Sequence, residues 1–179
     1  MTAAAKRYGG SLFELAAEEQ LDDRILGELD CAAACISAEP AYARLLSMPS
    51  IPRAQRRALL DEAFGPQMHP YTVSFLKILC EEGLIRQLPE CAREYRARYN
   101  QAHGILEVHA AAAIPLDADT RRRLRDKLAA VTGRQIDLTV TVEPELLGGI
   151  RLDMDGTRLD GTLRRRLDSI REGLARLTL

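Results

Sequence analysis

Apolar side chains recur at helical spacing through the first hundred residues and at every second position through much of the remainder, so a change of period divides the chain. Ala5, Tyr8, Leu12, Leu15 and Ala16 share one face of a first helix, and Ile25, Leu26, Leu29, Ala33 and Ile36 share one face of a second. The second helix follows Asp22 and Asp23, acids that suit the positive end of a helix dipole. Pro40 opens a short third segment through Leu45-Leu46, Pro52 a fourth ending at Phe64-Gly65, and Pro70 a fifth through Phe75, Leu76 and Leu79 to Gly83. A proline fits the first helical turn because the N–H it lacks has no partner there, and a glycine past the last turn tolerates the left-handed backbone that ends a helix. A sixth helix starts near Pro89 and carries Ala92, Tyr95, Tyr99 and Ala102 before Gly104 stops it. Six short helices with brief connections predict an all-α bundle over residues 1–104.

From Ile105 to Pro115 the period is 2 and the expectation is a strand, weakly specified because residues 110–113 are all alanine. Asp117 to Val131 returns to helical spacing, with Leu124 and Leu128 inward and Arg121, Arg122, Arg123, Arg125 and Lys127 outward, closed by Gly133. Gln135 to Val142 alternates, with Ile136, Leu138, Val140 and Val142 on one face and Asp137, Thr139 and Thr141 on the other. Ile150, Leu152 and Met154 alternate again, and Asp155-Gly156 suits a two-residue type I′ turn into a second hairpin strand. After Gly161 a last helix carries the stripe Leu163, Leu167, Ile170 and Leu174. The fold class read from these patterns is α+β overall: an N-terminal six-helix all-α bundle followed by a small C-terminal α+β domain over residues 105–179, ordered strand, helix, three strands, helix.

At 179 residues, 46% hydrophobic and 28% charged, the chain is too apolar to be disordered and long enough for one generous core or two small ones. Twenty-five Lys and Arg against 26 Asp and Glu give a net charge of −1, which supplies no general pull toward nucleic acid or anionic lipid and favours a specific partner. There is no apolar run of about 18 residues to span a bilayer. Met1 to Arg7 has neither an apolar signal core nor an Arg/Ser-rich transit composition, so the mature chain is expected to start at Met1. Cys31, Cys35, Cys80 and Cys91 lie in or beside helical apolar patterns, which suits reduced core thiols better than a disulfide framework. Cys31 and Cys35 share a helix face, but no further Cys or His pair with ligand spacing accompanies them.

The stretch from Glu143 to Leu167 adds residue identity to pattern: Pro144, then Gly148-Gly149, alternating apolar residues, a turn, and Asp160-Gly161-Thr162 leading to Arg164, Arg166 and Leu167. That order resembles the signature of the delta subunit of F-type ATP synthases, the family of the mitochondrial oligomycin-sensitivity-conferring protein. The first half is similar to the same family in Arg7-Tyr8 through Leu12-Phe13 to Leu15-Ala16, in Leu45-Leu46 with Pro49, Ile51 and Pro52, and in Phe75-Leu76 with Leu79. One departure is Gly9-Gly10, where the family has Ala after the Tyr. Each glycine costs a helix about 0.5–1 kcal/mol relative to alanine, so the first helix is expected to be loosened or bent there. The resemblance implies a non-catalytic stator subunit at the top of the peripheral stalk, joining the catalytic head to the membrane-anchored b subunits. Its location would be the cytoplasmic side of the bacterial inner (plasma) membrane, held peripherally through the complex. The helical domain would bind the N-terminal helices of the alpha subunits, with Tyr8, Leu12, Phe75, Leu76 and Leu79 as candidates. The C-terminal domain would bind the b subunits, with the apolar tail residues Leu174, Leu177 and Leu179 as candidates. No cofactor, metal, nucleic acid or small-molecule substrate is implied.

Other chemistry has plainer explanations. Gly148-Gly149 leads into a strand with no helix N-terminus and no Lys and Ser/Thr pair behind it, which suits a backbone bulge or a close backbone approach better than a phosphate cradle. Asp153-x-Asp155-Gly156 lacks the later oxygen ligands of a calcium loop. The triplets Arg121–Arg123 and Arg164–Arg166 are the case for an alternative, a nucleic-acid-binding α+β protein, but acids interleave them and Tyr99 is the one aromatic near the boundary. His69, His103 and His109 stand near no recognisable nucleophile, so the residues assemble no enzyme site and cap or structural roles are expected.

Overall fold

A computed structural model describes residues 2–146, 148–154 and 156–161. The chain divides into two compact units, one ending at Tyr99 and the other beginning at Asn100.

In the first unit α1 (Ala3–Glu18) begins at Thr2, whose hydroxyl accepts from the Ala5 N–H, and runs as one unbroken helix through Gly9 and Gly10. The expected loosening there is absent. A side chain at Gly9 would lie 2.5 Å from the Cys91 carbonyl oxygen, and one at Gly10 would lie 2.6 Å from the Arg98 guanidinium. The glycines therefore let the α1 backbone approach α6, and that packing offsets their weak helix propensity. α1 ends in a Schellman arrangement, with Leu21 N–H on Ala16 O at 2.9 Å and Gln20 N–H on Ala17 O at 3.2 Å. The left-handed residue of that motif is Gln20, φ 56°, not a glycine.

α2 (Asp22–Ala38), α3 (Pro40–Leu46), α4 (Arg53–Phe64) and α5 (Pro70–Glu81) follow, and a 3-10 turn at Ile85–Gln87 leads into α6 (Leu88–His103). Ile25, Leu29, Leu46, Leu60, Leu76, Leu79, Ile85, Leu88 and Tyr95 are fully buried and form the centre of this unit. The Phe13 and Tyr95 rings meet edge to face at 5.5 Å, and the Tyr95 hydroxyl, its pKa raised by burial, donates to the Asp22 carbonyl at 3.0 Å.

In the second unit β1 (Ile105–Ala112), α7 (Ala118–Thr132) and β2 (Gln135–Val142) make a β-α-β unit in which β1 and β2 run parallel. Asp117 caps α7 by accepting from the Thr120 N–H at 3.1 Å, and Gly133 closes it with φ 67°. A 3-10 turn at Pro144–Leu146 precedes β3 (Ile150–Met154), which pairs antiparallel with both β1 and β4 (Thr157–Asp160). Leu106, Val108 and Ile136 form a small core with Leu128, Ala129, Leu138, Leu152 and Met154, so α7 covers the apolar face of the sheet.

The fold is α+β overall, but the expected layout of a six-helix bundle followed by strand, helix, three strands and helix needs correction. The described residues form seven α-helices, two 3-10 turns and a mixed four-stranded sheet of order β2-β1-β3-β4. Alternation shows which side chains share a face but not which strands are neighbours. β3 passes over the 3-10 turn at Pro144, where proline removes a ladder donor, and pairs with the central β1 instead of the preceding β2. β1 also ends at Ala112, short of Pro115. The expected final helix, with Leu163, Leu167, Ile170 and Leu174, falls on residues outside those described.

Candidate functional site

α1 and α5 carry the candidate partner-binding positions, and packing separates them sharply. Leu12, Phe75, Leu76 and Leu79 are buried in the core of the first unit, while Tyr8 is half-buried against it. The buried four shape the helix faces from beneath. The apolar side chains that reach solvent on these helices are Leu15, 39% exposed, and Ile78, 46% exposed. Spacing groups Leu15 with the core face, yet the buried stripe of α1 is Ala5, Gly9, Leu12 and Ala16, and Leu15 stands about 100° around the helix from Ala16. Ile78 lies about 200° beyond Leu76, a signal available from the sequence.

Polar side chains fix the elements beneath. Glu28 on α2 accepts from the His69 N–H at 2.8 Å and the Thr72 hydroxyl at 2.5 Å, satisfying donors at the start of α5, and pairs with Arg24 at 2.9 Å. Burial works against its charge, but the hydrogen bonds from Thr72, His69 and Arg24 together outweigh it and hold the carboxyl below its usual value. Arg56, 8% exposed, sends Nη1 to the carbonyls of Leu46 and Cys80, each at 3.1 Å. Those carbonyls stand at the C-terminal ends of α3 and α5, so one guanidinium caps two helices. α4 and α5 are also joined by Lys77–Asp61 at 2.6 Å and Arg57–Glu81 at 3.0 Å.

Two open grooves mark the first unit. One, of about 550 Å³, has Ile36, Pro40, Ile85 and Pro89 along it with Arg44 and Arg86 among its polar groups. The other, of about 570 Å³, is lined by Cys35, Tyr42, Leu45 and Phe64.

In the second unit the signature residues act on the backbone. Pro144 opens the 3-10 turn that buries Leu146, and Gly148 and Gly149, at φ 149° and 83°, take the chain through conformations that disfavour a side chain before β3 begins. Asp160 ends β4 opposite Arg151, and the Gly161 N–H donates to the Ile150 carbonyl at 3.2 Å. Arg164, Arg166, Leu167, Leu174, Leu177 and Leu179 lie outside the described residues, as do Leu147 and Asp155.

The remaining candidates have local partners. Asp153 pairs with Arg158 at 2.6 Å, as hairpin neighbours do. Arg122 and Arg123 both pair with Asp119, and Arg121 donates to the Leu116 carbonyl, so one carboxylate answers two of the three guanidiniums and the triplet is held by contacts within its own helix turn. His69 caps α5, its Nδ1 accepting from the Tyr71 N–H at 3.3 Å. His103 ends α6, and His109 lies exposed on β1 opposite Asp153. Among the described residues no three His, Cys, Asp or Glu side chains converge as a metal site. No described helix is long and apolar enough to cross a membrane.

The described residues thus leave apolar side chains at the surface of α1 and α5, on a scaffold whose charged groups serve as caps and ion pairs. The family profile of the ATP synthase delta (OSCP) subunit matches residues 4–174. The chain is 32% identical over 173 residues to the ATP synthase subunit delta of Desulfitobacterium hafniense, covering 97% of each. It is 31% identical over 172 residues to that of Symbiobacterium thermophilum, covering 96% of this chain and 92% of the relative. Its fold matches a chain in a structure of the Toxoplasma gondii mitochondrial ATP synthase hexamer with a TM-score of 0.72 at 20% identity, covering 98% of both. The chain belongs to the delta (OSCP) subunit family of F-type ATP synthases, structural and non-catalytic subunits of that complex.

Proposed function

We propose that the chain is the stator subunit at the top of the peripheral stalk, tying the catalytic head to the membrane-anchored b subunits so that the head does not turn with the rotor. The observation that carries this reading is the family match over residues 4–174, in a chain whose described residues place apolar surface on α1 and α5. On this reading residues 1–104 hold an alpha-subunit N-terminal helix, with Tyr8, Leu15 and Ile78 touching it and Leu12, Phe75, Leu76 and Leu79 setting the face from below. Residues 105–179 hold the b subunits, with Leu174, Leu177 and Leu179 as the docking tail. Helix-in-groove docking suits such a task, because apolar anchors at helical spacing give slow dissociation under load. The bacterial relatives support a place on the cytoplasmic side of the inner membrane, held there through the complex.

A synthetic alpha N-terminal peptide, titrated calorimetrically, tests the head contact. Leu15→Asp and Ile78→Asp should stay folded and each weaken binding about tenfold or more, the equivalent of one buried aliphatic side chain. Leu12→Asp and Leu79→Asp should unfold the helical unit instead. Deleting residues 174–179 should weaken binding to b subunits and leave the peptide affinity unchanged. Full peptide affinity in both surface variants would overturn the assignment of the α1 and α5 faces.

A further inference from the structure

Cys31 and Cys35 are two thiols that serve neither the core nor a helix cap. Both are exposed, one turn apart on α2, and both stand outside its buried stripe of Ile25, Leu29, Ala32 and Ile36. Side chains at i and i+4 of a helix stack on one face with Cβ atoms about 5–6 Å apart. The neighbouring Cys35 pushes the Cys31 thiol up. The other two cysteines are committed to the interior: Cys80 donates to the Leu46 carbonyl at 3.3 Å, and burial takes the Cys91 thiol up to about 11.

A direct disulfide needs Cβ atoms about 3.5–4.5 Å apart, closer than an intact helix holds such a pair. A single bridging atom fits better. With bonds of about 2.3 Å to each sulfur, a soft centre holds two thiolates roughly 3.5–4 Å apart, a spacing within reach of side chains whose Cβ atoms are about 5–6 Å apart. Cys35 also lines the groove of about 570 Å³ with Tyr42, Leu45 and Phe64, so an apolar substituent on the bridging atom would lie against an apolar and aromatic wall.

We propose that Cys31 and Cys35 form a dithiol site on α2 that chelates a soft, thiophilic centre, with trivalent arsenic bearing one aryl group as the ligand class that fits both the sulfurs and the groove. The arsenic keeps its oxidation state. Two As–S bonds form, the arsenic–oxygen double bond of the arylarsine oxide breaks, and the oxygen leaves as water with the two thiol protons.

The test uses the reduced full chain and phenylarsine oxide, read by intact mass spectrometry under native conditions. One adduct per chain is expected, retained in excess 2-mercaptoethanol and removed by 2,3-dimercaptopropanol, since only a dithiol competes with a chelate. Cys31→Ser and Cys35→Ser should each weaken retention on the order of a hundredfold, the loss expected when a two-point attachment becomes one-point. Thermal unfolding of both variants should match the parent, because both positions are exposed. Methylarsine oxide should bind more weakly than phenylarsine oxide if the aryl group uses the groove; equal retention overturns that part. An adduct that monothiol strips, one that either Ser variant keeps, or none at all overturns the site.

Discussion

Arg56 brings a guanidinium into the interior and meets it with carbonyls, since its Nη1 partners are Leu46 O and Cys80 O. Both carbonyls belong to helix ends, where unpaired C=O groups concentrate negative potential, so two dipole ends replace a carboxylate as counter-charge. Arg56→Met keeps the volume and removes both hydrogen bonds; urea unfolding should show a loss of about 3 kcal/mol. Glu28 gives a prediction in pH. Its carboxyl is held below its usual 4.5, so the stability it contributes is present above that value and is lost as pH falls through the folded-state value. The stability difference between the parent and Glu28→Gln should therefore shrink between about pH 6 and pH 3, measured by thermal unfolding across that range. A constant difference would mean that the Thr72 and His69 contacts do not depend on the charge.

At the scale of elements, the glycines of the first two helices make opposite predictions from the same residue type. Gly9 lies where an added methyl would meet the Cys91 carbonyl oxygen at 2.5 Å and Glu94 Cβ at 3.1 Å, whereas Gly27 on α2 has nothing within 4 Å. Gly27→Ala should raise stability by about 0.5–1 kcal/mol through helix propensity alone. Gly9→Ala gains the same propensity but must push α1 from α6, and should lower stability by about 1–3 kcal/mol. Denaturant midpoints of the two variants should move in opposite directions. Helix ends were legible where a residue type carries the cap, as at Pro40, Pro70, Asp117 and Gly133. The end of α1 was not, because its left-handed residue is Gln20.

Over the whole molecule, the two units divide at Tyr99 and Asn100, inside α6. Residues 1–104 expressed alone, a piece that keeps α6 whole, should show a helical circular-dichroism spectrum and unfold cooperatively, because the core from Leu12 to Tyr95 is internal to it. A spectrum without helix from soluble, monomeric material would show that the first unit depends on the second. The sequence by itself determined the switch from a period of 3.6 to a period of 2 after Gly104, the caps set by single residue types, and the family, because its signature rests on residue identities between Pro144 and Leu167. At Gly148-Gly149 the residue type permitted the positive φ that the chain adopts without requiring it. Only tertiary structure decided which of the apolar residues on α1 and α5 are core and which are surface, that β3 pairs with β1, that Arg56 is buried, and that Gly9 is a contact instead of a flaw. Each of those depends on what a distant segment places against the residue, and spacing along one helix or strand carries no information about its neighbour.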